Sequence, residues 1–188
     1  MPDMLAPDDG PKTGSIGEIE SFSGNDLAEL CDLAADAIVD GDGFLWVKVP
    51  PARILENYWH GVLLVPERSL FIARLDGRIA GTAQLVRPPV NNESGAFCAQ
   101  ITTLIVAPWA RGHGLGRGML QRLEEQARAR GYTTLELDVR SDRLRAVRLF
   151  ETHGFVRWGE KHRYARVNAR YISGYYYSKN LDETGEIK

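Results

Sequence analysis

The sequence predicts an α/β (α+β) fold, with a mixed, mostly antiparallel central sheet of about six to seven strands flanked by about four helices. Three observations carry this prediction. Apolar residues recur at helical spacing twice before residue 65. An Asp-Gly pair, Asp76-Gly77, separates two apolar runs, which is a strong hairpin cue. From Pro108 onward the pattern changes to glycine-rich turn, helix, strand, helix, and then two closing strands.

Residues 1–14 are rich in Pro, Gly and Asp and read as a flexible tail. A strand over Ile16 to Phe22 leads into Ser23-Gly24-Asn25-Asp26, a capping context. Leu27, Leu30, Cys31, Ala34, Ala35 and Ile38 then predict a helix over about 26–40. Pro50-Pro51 opens a second helix, because proline suits a first turn, and Ile54, Leu55, Tyr58, Trp59 and Val62 form its apolar face. Leu70 to Leu75 and Arg78 to Val86 form the hairpin, and Phe97 to Val106 a further strand. Leu115, Met119, Leu120, Leu123 and Ala127 share one face of a helix ending at Gly131. Leu135, Leu137 and Val139 alternate with Glu136 and Asp138 as a strand with unlike faces does. A shorter helix, Arg143 to Thr152, precedes two strands between Phe155 and Asn180 that turn near Asn168. Residues 182–188 read as a short tail, leaving 15–181 as a single domain.

The chain has 188 residues, 44% apolar and 26% charged, which is ordinary for a soluble globular protein and excludes fibrous and wholly disordered classes. Nothing in it calls for a disulfide or a metal. Cys31 and Cys98 have no CxxC spacing, so a reducing cytoplasm fits best. No signal peptide or membrane span is evident. The net charge of −2 hides an asymmetry: residues 1–106 carry 7 basic and 15 acidic side chains, whereas residues 107–170 carry 14 and 7. A basic second half suits an anionic partner. Its arginines are scattered without a reading motif, which argues against nucleic acid.

The densest signal is Arg111-Gly112-His113-Gly114-Leu115-Gly116-Arg117, which joins a strand end to a helix start. Glycines there let successive backbone N–H groups face one concavity, and the helix dipole adds partial positive charge. Arg111 and Arg117 bracket the turn with guanidinium groups suited to phosphate oxygens. The pattern fits neither a P-loop, which needs Gly-Lys-Ser/Thr, nor the GxGxxG dinucleotide turn.

This stretch resembles the signature Gln/Arg-x-x-Gly-x-Gly/Ala of the GNAT family, the acetyltransferases related to the Gcn5 histone acetyltransferase. Val106-Ala107-Pro108 before it and Ala146-x-x-Leu149-Phe150-Glu151-x-x-Gly154-Phe155 after it are also similar. The resemblance is specific over residues 101–155 and extends in outline over 16–181. It implies a GNAT-like domain, acetyl-CoA as co-substrate, and an acetyl group passed to a primary amine of a small molecule or peptide. It also implies that CoA phosphates lie on residues 111–117 and that pantetheine pairs with Leu104, Ile105 and Val106 on a strand that parts from its neighbour. His113, at a variable position, reads as a turn residue near phosphate.

Two familiar groups are missing. Where many members carry a tyrosine near the CoA sulfur, this chain has Phe150, which the resemblance keeps among the cofactor-binding residues but which has no proton to give; in place of asparagine ahead of the conserved alanine it offers Asp142 and Arg143. Residues 100–106, Gln-Ile-Thr-Thr-Leu-Ile-Val, include no general base. The candidates that remain are Glu136 and Asp138, which as alternate strand residues also suit solvent or arginine pairing, and Tyr164 among the C-terminal tyrosines. Acidic residues Asp32, Asp36, Asp40, Asp42 and Glu56 offer attraction to a cationic acceptor, or simply a solvated face. A CoA-binding sensor or partner domain without catalysis is the alternative function. Edge strands near the C-terminus suggest a homodimer.

Overall fold

The computed structural model describes residues 14–41 and 44–182. The chain begins with β1 (Gly14–Ile19), α1 (Asp26–Val39) and α2 (Ala52–Leu64), followed by the strands β2 (Arg68–Leu75), β3 (Arg78–Val86) and β4 (Cys98–Val106). It continues through α3 (Leu115–Ala129), β5 (Thr134–Arg140) and α4 (Leu144–Thr152) to β6 (Val156–Val167) and β7 (Arg170–Asn180). Two short 3-10 turns, Glu93–Gly95 and Pro108–Ala110, had no counterpart in the periodicity of the sequence.

One seven-stranded sheet runs in the order β1-β2-β3-β4-β5-β7-β6. All neighbours are antiparallel except β4 and β5. The mixed, mostly antiparallel sheet and its four helices thus match the sequence expectation. At the hairpin, Asp76 and Gly77 have φ of 52° and 80°, the two positive values that a type I′ turn needs. The first strand begins earlier than expected: Gly14 pairs with Leu75, which removes it from the anticipated 1–14 tail. That strand also ends at Ile19, and the ring of Phe22 instead packs edge-on against His60 at 5.3 Å. Residues 1–13 and 183–188, the rest of the two expected tails apart from Asp182, lie outside the described residues, as does Asp42.

The helices divide between the two faces of the sheet. On one face Gln84 donates to Tyr58 Oη of α2 at 2.9 Å, and the backbone N–H of Ile79 donates to Glu29 of α1 at 2.7 Å. On the other face Tyr177 is fully buried and lies against Phe150 of α4, at 6.2 Å between ring centres. Because Leu137 is opposite Tyr177 in the ladder, alternation turns Glu136, Asp138 and Arg140 toward the α1–α2 face.

Asp26, the first residue of α1, is 4% exposed. It accepts from the Ser23 backbone N–H and hydroxyl at 3.1 Å each and from Arg74 at 2.6 Å. Burial by itself raises the carboxyl's pKa, but the Arg74 and Ser23 hydrogen bonds outweigh it and hold the group below the ordinary 3.8. A depressed carboxylate pKa contributes stability that is complete above the unfolded value and is lost as pH falls through the folded one. Acid unfolding monitored below pH 4 should therefore begin at a lower pH in the unaltered protein than in Asp26→Asn. At neutral pH the variant should be less stable by roughly 2 kcal/mol, since it removes the nearer of the two charged partners of Arg74 and leaves only Glu29, at 3.9 Å.

Candidate active site

β4 and β5 are paired only over Cys98–Gln100 and Thr134–Glu136. Beyond that point the strands part, so residues 101–106 have no ladder partner on β5. One contributor is a bulge in β4: between Thr82 and Gln84 the register against β3 shifts, and Thr103 takes φ of 56°. An extra residue of this kind bends a strand and raises its twist. The opening that the sequence resemblance implied at Leu104, Ile105 and Val106 therefore exists. Ile105 is buried, and Leu104 and Val106 are half-buried, so these residues offer backbone N–H and C=O groups to a ligand rather than side-chain chemistry.

The glycine turn lies at the same end of β4. Gly112 and Gly114 have φ of 86° and 76°, and Gly114 is the N-cap of α3. The first backbone bond of the helix runs from Gly118 N–H to the Gly114 carbonyl at 2.9 Å. Among the described residues, no acceptor takes the backbone N–H groups of residues 112–117. Orphan donors at the positive end of a 15-residue helix form an anion site. A Cβ on Gly116 would come within 3.0 Å of Leu149 in α4 and 3.8 Å of Val106 in β4, so this glycine lets α3 and α4 close around the strand opening. Leu115 is buried and anchors the turn in the core. Arg117 is exposed, and His113 Nδ1 lies 3.1 Å from the Ala110 carbonyl, consistent with a turn residue.

Arg111 was expected to bracket the turn as a phosphate ligand, and the structure adds a partner for it. Its guanidinium meets Asp40, just past the end of α1, at 2.7 Å. Glu18 of β1 likewise pairs with Arg130 at 2.8 Å. Part of the charge asymmetry between the two halves of the chain is thus satisfied by ion pairs across them. Asp32, Asp36 and Glu56 are exposed.

The acid–base candidates separate clearly. Tyr164 donates its hydroxyl proton to Asp138, and Gln100 Nε2 approaches the other oxygen of Asp138 at 3.4 Å. The phenol is held there because Gly174 on β7 leaves room for it: a Cβ at that position would fall 2.1 Å from the Tyr164 ring. Burial, together with the Asp138 hydrogen bond and charge, drives the Tyr164 pKa well above the ordinary value of 10. Tyr164 therefore stays protonated and serves Asp138 as a donor. Glu136 sits at the apex of the opening, opposite Gln100, and its side chain is exposed with no hydrogen bond or ion pair among the described residues.

Phe150 is buried among aromatic rings. Only 5% exposed, it packs against Phe155 at 6.1 Å and Tyr177 at 6.2 Å. Asp142 and Arg143 lie at the far end of β5, where Asp142 accepts from Arg143 at 3.2 Å and from Arg140 at 3.0 Å. Sequence reasoning missed Arg140 entirely. Its position at the end of an alternating strand, two residues past Asp138, was the available signal. Among the described residues no cluster of His, Cys, Asp or Glu could hold a metal ion, and no helix is long and apolar enough to cross a membrane.

An anion-binding helix terminus beside a split pair of strands, with a carboxylate on the opposite face, defines the class of site used for acyl transfer from an acyl-CoA. The protein belongs to the acetyltransferase (GNAT) family, whose sequence profile matches residues 28–155. It is 53% identical over 131 residues to an uncharacterised N-acetyltransferase of Azospirillum brasilense encoded between hisH and hisA, covering 70% of this chain and 78% of that protein. It is 30% identical over 147 residues to the N-alpha-acetyltransferase RimI of Mycobacterium tuberculosis, covering 76% and 80%. The fold is similar to that of the Salmonella typhimurium acetyltransferase yncA, solved with acetyl-CoA, with a TM-score of 0.73, 18% identity, and coverage of 94% and 98%. Acetyl-CoA is the family's acyl donor, and the open amides of residues 112–117 and the unpaired stretch of β4 fit its pyrophosphate and pantetheine arm.

Proposed function

We propose that the protein acetylates the primary amine of a small molecule by direct attack of the amine on the thioester. The observation that carries this reading is the Asp138–Tyr164 pair, which faces the α1–α2 side of the sheet while α3 and α4 occupy the other. A donor entering beside α3 and an acceptor arriving from the α1–α2 side would meet where β4 and β5 part. The thioester supplies the activated acetyl group. β4 backbone N–H groups left without strand partners can hold the carbonyl oxygen as negative charge builds on it, an arrangement typically worth a few kcal/mol. Asp138 accepts a hydrogen bond from the amine and receives its proton as the C–N bond forms and the C–S bond breaks. Tyr164 positions that carboxylate. The departing thiolate, with an ordinary pKa near 8.5, needs little assistance and takes a proton from solvent.

Direct attack is supported by the state of the cysteines. Burial, followed by the nearby Glu136 charge, pushes the Cys98 thiol up to about 11, and burial with Glu56 and Asp32 does the same for Cys31. Neither is a ready nucleophile. The most economical setting for this chemistry is the cytoplasm, where acetyl-CoA and reduced thiols coexist.

A peptide amine is the alternative acceptor, supported by the likeness to an N-alpha-acetyltransferase. The decisive experiment mixes purified protein and acetyl-CoA with small amines and short peptides and follows free thiol. Turnover on small amines is the expected result. Turnover on peptides alone would replace the small-molecule reading, and tight acetyl-CoA binding without thiol release on any amine would leave the non-catalytic sensor instead.

A further inference from the structure

A concavity opens beside the proposed acceptor face, lined by Ile38 from the end of α1, Trp46 and Val47 from the following loop, Arg140 and Asp142 at the end of β5, and Asn168 from the β6–β7 turn. Two properties make it informative. Arg140 and Asp138 lie two residues apart on one strand and point to the same face, so their side chains start about 7 Å apart. The Arg140 side chain is also only 11% exposed and is fixed in direction: it donates to both oxygens of Asp142 at 3.0 Å and to the Gly41 carbonyl at 3.0 Å.

Nε and Nη2 of this guanidinium are taken by Asp142 and the Gly41 carbonyl, which sets its orientation and leaves Nη1 to donate to an incoming carboxylate oxygen. Trp46, Val47 and Ile38 supply an apolar wall beside it. Asp142 is 38% exposed on its side chain and can yield part of the guanidinium to an incoming carboxylate.

On the transferase reading above, we infer that the acceptor is a short amino acid, whose amine meets Asp138 while its carboxylate is seated by Arg140 and its side chain lies along Trp46 and Val47. Two side chains that start about 7 Å apart on one face suit a small acceptor whose amine and carboxylate lie close together. They do not suit a polyamine, which brings a second cation to Arg140, nor a peptide N-terminus, whose neighbouring carbonyl is a neutral amide.

Thiol release from acetyl-CoA, measured as kcat/KM for several L-amino acids, their carboxamides, a diamine and a dipeptide, tests the inference. The amino acids should exceed their carboxamides by about 10- to 100-fold, the range for loss of a charge-assisted hydrogen bond. In Arg140→Met that ratio should fall toward one, and Arg140→Lys, which keeps the charge and protects against a folding artefact, should retain part of it. A ratio near one in the unaltered protein, or a ratio that survives Arg140→Met, would overturn the inference while leaving the transferase intact. No thiol release on any amine would overturn both.

Discussion

Asp138→Asn should lower kcat by about 100-fold while leaving the affinity for acetyl-CoA within a factor of two, the usual scale for losing one positioned proton acceptor. The asparagine keeps the shape of the side chain, its oxygen can still accept from Tyr164, and its NH2 can donate to Gln100 once that amide flips, so the fold should survive and the loss should fall on chemistry. Tyr164→Phe probes the same pair from the other side. Tyr164 donates to Asp138 and its own pKa is raised by burial and by that carboxylate, so in the proposed mechanism it orients the carboxylate without transferring a proton itself. Its removal should therefore cost about tenfold, the equivalent of one ordinary hydrogen bond. A Tyr164→Phe loss as large as that of Asp138→Asn would mean that the phenol takes part in proton transfer. Stopped-flow or thiol-release kinetics with saturating acetyl-CoA, paired with calorimetric titration of acetyl-CoA, distinguishes these outcomes.

The second large effect is expected at the cofactor turn. Gly114 has φ of 76° and caps α3, and a β-branched side chain is a genuine outlier in that region. No atom lies within 4 Å of a Cβ built there, so Gly114→Val meets no steric wall and its cost is conformational. The backbone must either hold about 1–2 kcal/mol of strain or rotate out of the left-handed region. Rotation turns the amides of residues 112–117 away from one another. Acetyl-CoA affinity should fall by roughly 10- to 100-fold, as expected on losing charge-assisted contacts to pyrophosphate, whereas the thermal midpoint should drop only a few degrees. Arg111→Ala should have a smaller effect on affinity, because Arg111 spends part of its charge on Asp40.

How far the sequence reached can be seen from single residues. Asp76-Gly77 announced its hairpin because only a few residue pairs tolerate two positive φ values, and the glycines at 112 and 114 announced their turn for a similar reason. These are local constraints, written in neighbouring positions. The Asp138–Tyr164 pair is not local. Its partners are 26 residues apart and meet because β6 carries extra residues between Lys161 and Ala165 relative to β7, a register slip that alternation of side chains does not reveal. The Thr103 bulge is hidden in the same way, since threonine is an ordinary strand residue. The Arg111–Asp40 pair spans 71 residues, so a count of charges displayed the imbalance between the halves without showing that part of it is satisfied inside the fold. Phe150 was legible as a missing tyrosine, while its burial between Phe155 and Tyr177 depended on how α4 rolls against β7.

One donor is expected to bind at two places, the turn at the start of α3 and the unpaired stretch of β4. Amide chemical shifts of isotope-labelled protein, recorded as acetyl-CoA is added, test both at once. The largest shifts are expected at residues 112–117 and at Leu104, Ile105 and Val106, with Tyr164 and Asp138 responding when an acceptor follows. Shifts confined to other surfaces, or a turn that responds while β4 stays silent, would contradict binding of one donor at both places.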